Sequence, residues 1–388
     1  MESVRRIYWP AINLIGPGAV KEIGIEIKKL ELTKLMLVTD QILVNIGVVK
    51  KVTDILDASG IKYVVYSSVE PNPTIENVSN GLEVYLANSC QGLISVGGGS
   101  PQDAAKAIGI LATNGGNVVD YEGIGKSENK SVPIIAINTT AGTASEVTIN
   151  YVITDEFRKI KMVVVDPNCL ATIAVNDPEL MIDKPAALTA ATGMDALTHA
   201  IEAYTTKGSF RLSDTLALEA IKLISESLET AVNNGSDINA RSKMAWASYI
   251  AGLSFSNCGL GIVHSMAHQL GSEYNLPHGV ANSILLPFVA AFNSKICEEK
   301  YAKIAEAMGK NIQGLSPAKA SLEAIRAISE MAGKLKIPKL ADTDFRPEDV
   351  EKLSKQAMAD VCTGGNPREV TIEDIKALYT YAYENRLP

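Results

Sequence analysis

All four histidines of the 388-residue chain fall between His199 and His278. Asp195 with His199, and His264 with His268, stand four residues apart, a spacing that sets both side chains of each pair on one face of a helix. Imidazole and carboxylate together suit a divalent transition metal such as Fe, Zn or Ni. One histidine taken alone is more often a hydrogen-bonded core or surface residue than a ligand. Four of them gathered in one stretch of a long chain point to a metal site, with Asp195, His199, His264, His268 and His278 as the candidate donors.

A second kind of chemistry is written in the first half. In GLISVGGGSPQDAAKAIG (92–109) a buried strand runs into three glycines, after which Ser100 stands as an N-cap and Pro101 as the first helical residue. Glycines let a backbone approach an anion, and a helix N-terminus offers it free N–H groups, so the loop is a candidate for pyrophosphate. Thr139, Thr140, Ala141, Gly142, Thr143, Ala144, Ser145 and Glu146 form a second loop of small and hydroxyl residues, which either lines a nucleotide or simply turns the chain. Neither loop is G-x-G-x-x-G, and Asp40, the acid at the end of the first strand, precedes the glycines instead of following them. This is not the ordinary dinucleotide fingerprint. Asp40 is either a strand-end cap or a ribose ligand; in the second role it would favour NAD over NADP, because a carboxylate repels a 2′-phosphate.

The elements that must position these groups change character once along the chain. From 34 to 177, β-rich runs (35–40, 61–67, 92–98, 132–138) alternate with helical stretches (45–59, 75–88, 101–113), which implies a parallel sheet with crossover helices. Residues 152–166 read as an antiparallel hairpin and ATIAVND (171–177) as one more strand. After Pro178 the pattern is helical throughout: 185–206, 212–233, 238–257, 260–273, 279–293, 298–309, 316–334, 347–360 and 371–385. The expected organisation is an α/β domain over 1–184, carrying the dinucleotide loops, and an all-helical domain over 185–388, carrying the metal site.

Composition narrows the class. Hydrophobic residues make up 46% and charged residues 21%, which describes a globular chain without compositional disorder. A net charge of −8, with no dense basic run, argues against nucleic acid as a partner. Five widely spaced cysteines without a C-x-x-C pair read as reduced thiols. The N-terminal stretch is broken by Pro10, Gly16 and Pro17 before a signal-type apolar core develops, and no run reaches membrane-spanning length. A cytoplasmic location is expected.

GGGSPQDAAKAIG (97–109), TTAGTASE (139–146), NDPELM (176–181), GMDALTHAIEAY (193–204), GIVHSMAHQLG (261–271) and NLPHGVANSILLP (275–287), in this order, resemble the iron-containing, or group III, alcohol dehydrogenases, in particular those acting on lactaldehyde, propanediols and methanol. The resemblance implies a dehydroquinate synthase-like α/β domain followed by the helical one. It implies Asp195, His199, His264 and His278 as the metal ligands, with Fe²⁺ as the ion and Zn²⁺ or Ni²⁺ fitting the same donors. It places His268 off the metal, near nicotinamide and substrate, as a proton relay or cofactor-positioning group. Gly98, Gly99 and Ser100 would hold pyrophosphate; Asp40 and Asn72 would lie on the adenosine side, Thr139, Thr140 and Thr143 along the nucleotide, and Lys161 and Leu180 nearby. The cofactor is then NAD, with NADP as the second choice, and the assembly a homodimer. Where the family reads G-T-G-S-E, this chain has Ala144 in the middle of Gly142–Glu146; a positive φ there would strain the loop. Phe255 and Cys362 either reach the substrate or pack in the core.

The function implied is hydride transfer between NAD(H) and a small primary alcohol or diol, or its aldehyde, of which 1,2-propanediol and lactaldehyde are examples. Glu202, one turn beyond His199, reads as an exposed helix carboxylate, with a role behind the ligands as the alternative. Glycerol dehydrogenase-like and dehydroquinate synthase-like enzymes share the fold, and a metal-dependent hydrolase is the reading from another class. The residue after His264 is Ser265 and not the Glu of H-E-x-x-H.

Overall fold

The computed structural model describes residues 4–182 and 184–388. The chain divides into two compact units, Met1–Ile182 and Asp183–Pro388, two residues earlier than the change of sequence texture suggests.

The first unit is built on β1 (Ile12–Ile15), β2 (Lys34–Val38), β3 (Lys62–Tyr66), β4 (Gly92–Gly97), β6 (Ile134–Asn138) and β9 (Ile173–Asn176), paired in the order β1-β9-β6-β4-β2-β3. Every pairing in this sheet is parallel. KLMLV, GLISVG and IIAIN are nearly continuous apolar runs, as strands covered on both faces must be. Alternation sends Leu35, Leu37, Ile94, Val96, Ile135 and Ile137 into one core and Met36, Val38, Leu93, Ile134 and Ala136 into the other. The first core is closed by α1 (Ile23–Lys29) and α3 (Val48–Ala58), the second by α4 (Ile75–Ala87) and α5 (Gly99–Asn114).

The expected hairpin is present as β7 (Asn150–Asp155) and β8 (Ile160–Val165), antiparallel, but it forms a separate three-stranded sheet with the two-residue β5 (Gly123–Ile124). Three readings need correction. The single helix expected over 45–59 is α2 (Gln41–Asn45) and α3, interrupted at Gly47, whose φ is 80°. The helix after the glycines begins at Gly99 with Gly98 as N-cap, so Pro101 is its third residue and Ser100 is not the cap. Strand β1 and helix α1 carried no recognised signal.

The connectivity has one functional consequence. From β2 the chain crosses to β3 on one side, whereas β4 and β6 lie on the other side of β2. The order reverses between β2 and β4, and open α/β sheets bind ligands outside the carboxyl ends of the strands at such a point. Asp40 follows β2 and Gly98 follows β4; Thr39 Oγ1 bridges the two strands by donating to the Val96 carbonyl at 2.9 Å.

The second unit contains α6 (Ala186–Thr205), α7 (Arg211–Asn233), α8 (Ile238–Cys258), α9 (Ile262–Tyr274), α10 (His278–Ser294), α11 (Glu298–Ala307), α12 (Pro317–Lys334), α13 (Val350–Ala359) and α14 (Ile372–Glu384). α6 is buried along almost its whole length from Thr189 to Thr205, the property of a central helix. No helix of the described residues is long and apolar enough to cross a membrane.

Candidate functional site

Three helices of the second unit bring the candidate ligands together: α6 carries Asp195 and His199, α9 carries His264, and α10 begins with His278. One donor atom from each of the four lies within 4.8 Å of those of the others. His278 Nε2 is 3.7 Å and His199 Nδ1 3.9 Å from the two oxygens of Asp195. Donors about 2.1 Å from a tetrahedral ion stand about 3.4 Å apart, so the spacing fits a single cation. His268, one turn beyond His264, lies outside this quartet.

Two further residues hold the quartet in shape: Glu202, for which a role behind the ligands was the second reading, and Asn282, which the sequence reading did not single out. Glu202, expected on an exposed face, is buried: its Oε2 lies 2.6 Å from His264 Nδ1, and its Oε1 accepts the Val263 N–H at 2.7 Å. α9 has no side-chain cap of its own; the Glu202 carboxylate from α6 meets its first turn instead, where negative charge is favoured. Gly261 permits this, since a Cβ there would come within 2.9 Å of Glu202 Oε1. Burial raises the Glu202 carboxyl to about 7, against the backbone N–H groups that lower it. Burial, followed by the neighbouring His199 and His268, holds His264 well below the usual imidazole range. His264 is therefore neutral; with Nδ1–H turned to Glu202, Nε2 keeps its lone pair for a metal.

Asn282, four residues after His278 and so on the same helix face, donates through Nδ2 to Asp195 Oδ1 at 2.7 Å and lies 3.1 Å from Nε2 of both His264 and His278. Three lone pairs thus converge on one spot. Its own Oδ1 is buried without a hydrogen-bond partner among the described residues. The i, i+4 offset from His278 was the available signal. The Phe255 ring stacks on His199 with centroids 4.3 Å apart. His268 Nδ1 lies 2.8 Å from Asp360 Oδ2, and these two form a neighbouring group with Cys362.

In the first unit the two polar loops leave adjacent strands, β4 and β6, whose last residues Gly97 and Asn138 are in register. The loops touch: a Cβ at Gly98 would come within 3.0 Å of Thr140, and one at Gly99 within 3.1 Å of Thr143. Thr139 donates its N–H to the Gly97 carbonyl at 3.0 Å. Ser100 Oγ accepts the Asn72 N–H at 3.3 Å and Asn72 Oδ1 accepts from Lys161 at 2.9 Å, so Asn72, Ser100 and Lys161 form one chain of contacts. Asp40 caps α2 through the Leu43 N–H at 2.9 Å. Leu180 packs in the core with Val20, Ile23 and Leu37. Ala144 has φ 51° and ψ 30°, the left-handed conformation that was the condition for strain in this loop.

Beneath this loop lies a buried polar cluster that the sequence did not announce. Lys106 Nζ donates to Ser145 Oγ, Thr148 Oγ1 and the carbonyls of Thr148 and Asn150 at 2.8 to 3.1 Å. Ser145 in turn donates to Asp103 Oδ1 at 2.7 Å. Burial lowers the Lys106 amine and raises the Asp103 carboxyl from their ordinary values. Glu146 accepts from Asn176 at 2.7 Å through Oε1, whereas its Oε2 has no partner among the described residues.

Burial raises the Glu146 carboxyl to about 7 from 4.5. The folded state then holds this proton more tightly than the unfolded chain, so stability falls as pH rises from 4.5 to 7. The full penalty, about 3–4 kcal/mol, is present above that window. Glu146→Gln mimics the protonated acid and is expected to raise the thermal midpoint above pH 7 while changing little at low pH. Equal midpoints for the two proteins at both ends of the range would contradict this.

Residues 10–178 match the iron-containing alcohol dehydrogenase family, and residues 189–383 match the C-terminal domain of the Fe-containing alcohol dehydrogenases. Lactaldehyde reductase of Escherichia coli K12 is 48% identical over 95% of this chain and 97% of that protein. The NAD-dependent methanol dehydrogenase of Bacillus methanolicus is 47% identical over 94% and 96%. A crystal structure of 1,3-propanediol oxidoreductase superimposes with a TM-score of 0.96 at 45% identity, covering 98% of this chain and all of that one. The chain belongs to the iron-containing alcohol dehydrogenase family: it is an alcohol–aldehyde oxidoreductase, not the hydrolase or lyase that a histidine cluster alone leaves open.

Proposed function

We propose that the protein transfers hydride between NAD(H) and a small uncharged primary alcohol or diol, or the corresponding aldehyde, with 1,2-propanediol and lactaldehyde as the representative pair. The observation that carries this reading is the convergence of buried Asp195, His199 and His264 with the partly exposed His278 on one spot. A divalent ion held by these four, Fe²⁺ first and Zn²⁺ or Ni²⁺ by the same donors, would supply Lewis acidity toward the alcohol or carbonyl oxygen. Glu202 aims His264, which burial keeps neutral, Asn282 orients the Asp195 carboxylate, and Phe255 covers one face of His199. His268 is the group that takes and returns the substrate proton.

We assign the dinucleotide to the first unit. The open N–H groups of Gly98, Gly99 and Ser100 at the start of α5 suit its pyrophosphate. Thr139, Thr140 and Thr143 line it, and Asn72 and Lys161 lie to the adenosine side, with Leu180 supporting from the core. The second oxygen of the Asp40 carboxylate suits a ribose hydroxyl, which favours NAD over NADP. The assembly we propose is a cytoplasmic homodimer without nucleic-acid or membrane partners. Its five unpaired thiols suit a reducing compartment; the open edge of β1, preceded by the exposed Ile7 and Trp9, suits a second copy.

The test is NADH absorbance with a panel of short alcohols and aldehydes on anaerobic, Fe²⁺-loaded protein. Substrate-dependent change with NAD(H), faster than with NADP(H), is the expected result. No change with any alcohol or aldehyde would sink the proposal.

A further inference from the structure

Beside the candidate ligands, Asp360 follows α13 with its side chain only 6% exposed. Its two oxygens have different partners: Oδ2 lies 2.8 Å from His268 Nδ1, and Oδ1 accepts the Cys362 N–H at 2.9 Å. The turn that carries it is fastened to the helix that carries His268, because Thr363 Oγ1 lies 2.7 Å from Ser265 Oγ on α9 and donates to the Ala357 carbonyl at 2.6 Å. Burial works against the Asp360 charge, but His268 and the Cys362 N–H outweigh it and hold the carboxyl below its ordinary value.

An ionised carboxylate can only accept hydrogen bonds. We propose that Asp360 is the positioning residue of His268, fixing the imidazole with its hydrogen on Nδ1 so that Nε2 is free to exchange a proton with the substrate hydroxyl. This rests on the reading of His268 as the proton relay. During alcohol oxidation the substrate O–H breaks and Nε2–H forms, while the C–H electron pair leaves as hydride for NAD⁺, the oxidant; reduction returns both. The arrangement parallels the role of a buried aspartate behind a general-base histidine.

The backbone makes the inference testable. In Asp360→Asn the amide oxygen stays on the Cys362 N–H, since turning it round would set two donors against each other. The NH₂ group then faces His268 Nδ1 and forces the opposite tautomer, with hydrogen on Nε2. On Zn²⁺-loaded protein labelled with ¹⁵N-histidine, the His268 ring shifts are expected to exchange between the two nitrogens. On the Fe²⁺ enzyme kcat is expected to fall about a hundredfold with KM within about threefold, and metal content and thermal midpoint should stay near wild type. An unchanged tautomer and rate in Asp360→Asn, beside a slow His268→Ala, would overturn the positioning role and leave the relay standing. A wild-type rate in His268→Ala would remove the relay itself. Loss of metal in Asp360→Asn would make Asp360, Cys362 and His268 a metal-holding group and overturn the proposal in a third way.

Discussion

His264→Ala is expected to be purified with little metal and to lose activity by about a thousandfold or more. The lost Lewis acidity alone represents several kcal/mol of transition-state stabilisation, and each 1.36 kcal/mol is about tenfold in rate. The structure makes His264 the most consequential of the four to remove. Its Nδ1 is committed to Glu202 and its Nε2 shares the spot where Asp195 and His278 converge, so truncation deletes one donor and strands a buried carboxyl. Glu202→Gln is expected to be milder, with metal affinity lower by about 10–100-fold, because all four donors remain. Elemental analysis beside kcat distinguishes these cases. Full metal content in an inactive His264→Ala would show that the residue acts on something other than the ion.

The second large effect concerns stability. Lys106→Met keeps the aliphatic stem and removes the amine, leaving the carbonyls of Thr148 and Asn150 without their shared donor and Asp103 without the positive charge that most favours its ionised form. Removing one partner of a buried charged network costs about 3–5 kcal/mol, a large share of a domain's stability. The expected result is a much lower unfolding midpoint of the α/β unit. In Lys106→Met combined with Asp103→Asn the loss should be smaller than the sum of the single effects, because the charge left behind is gone. Strict additivity would mean that the two side chains do not communicate through Ser145.

The parts of this architecture that the sequence announced are those whose signal is local. Strands β2, β4 and β6 are continuous apolar runs, and the ligand quartet is visible as one i, i+4 pair, the first histidine of a second such pair and a turn histidine. What stayed hidden depends on distant partners. Glu202 reads as exposed because a helix carboxylate usually is; nothing near it in sequence reveals that α6 is buried all round and that α9 will place its first N–H groups against it. The oxygens around Lys106 come from residues 39 to 44 positions further on. β1 is half exposed and four residues long, too short for alternation to stand out, and β5 has two residues. The start of α5 was misplaced because Ser-Pro resembles a cap followed by a first helical residue, whereas the chain uses Gly98 there and gives Ser100 to Asn72.

The edge strand has a bearing on how the enzyme is made. Among the described strands β1 leaves the ribosome before the others, yet its hydrogen-bonding partner in the sheet is β9, with Ile12 opposite Ile173 and Ile15 opposite Asn176. Its following turn is held by Asp177, whose carboxylate accepts the N–H groups of Gly18 and Val20 at 3.1 Å. At translation speeds of about 5–20 residues per second, the N-terminal segment therefore waits on the order of ten seconds or more for its place, with an unpaired edge open to other chains in the meantime.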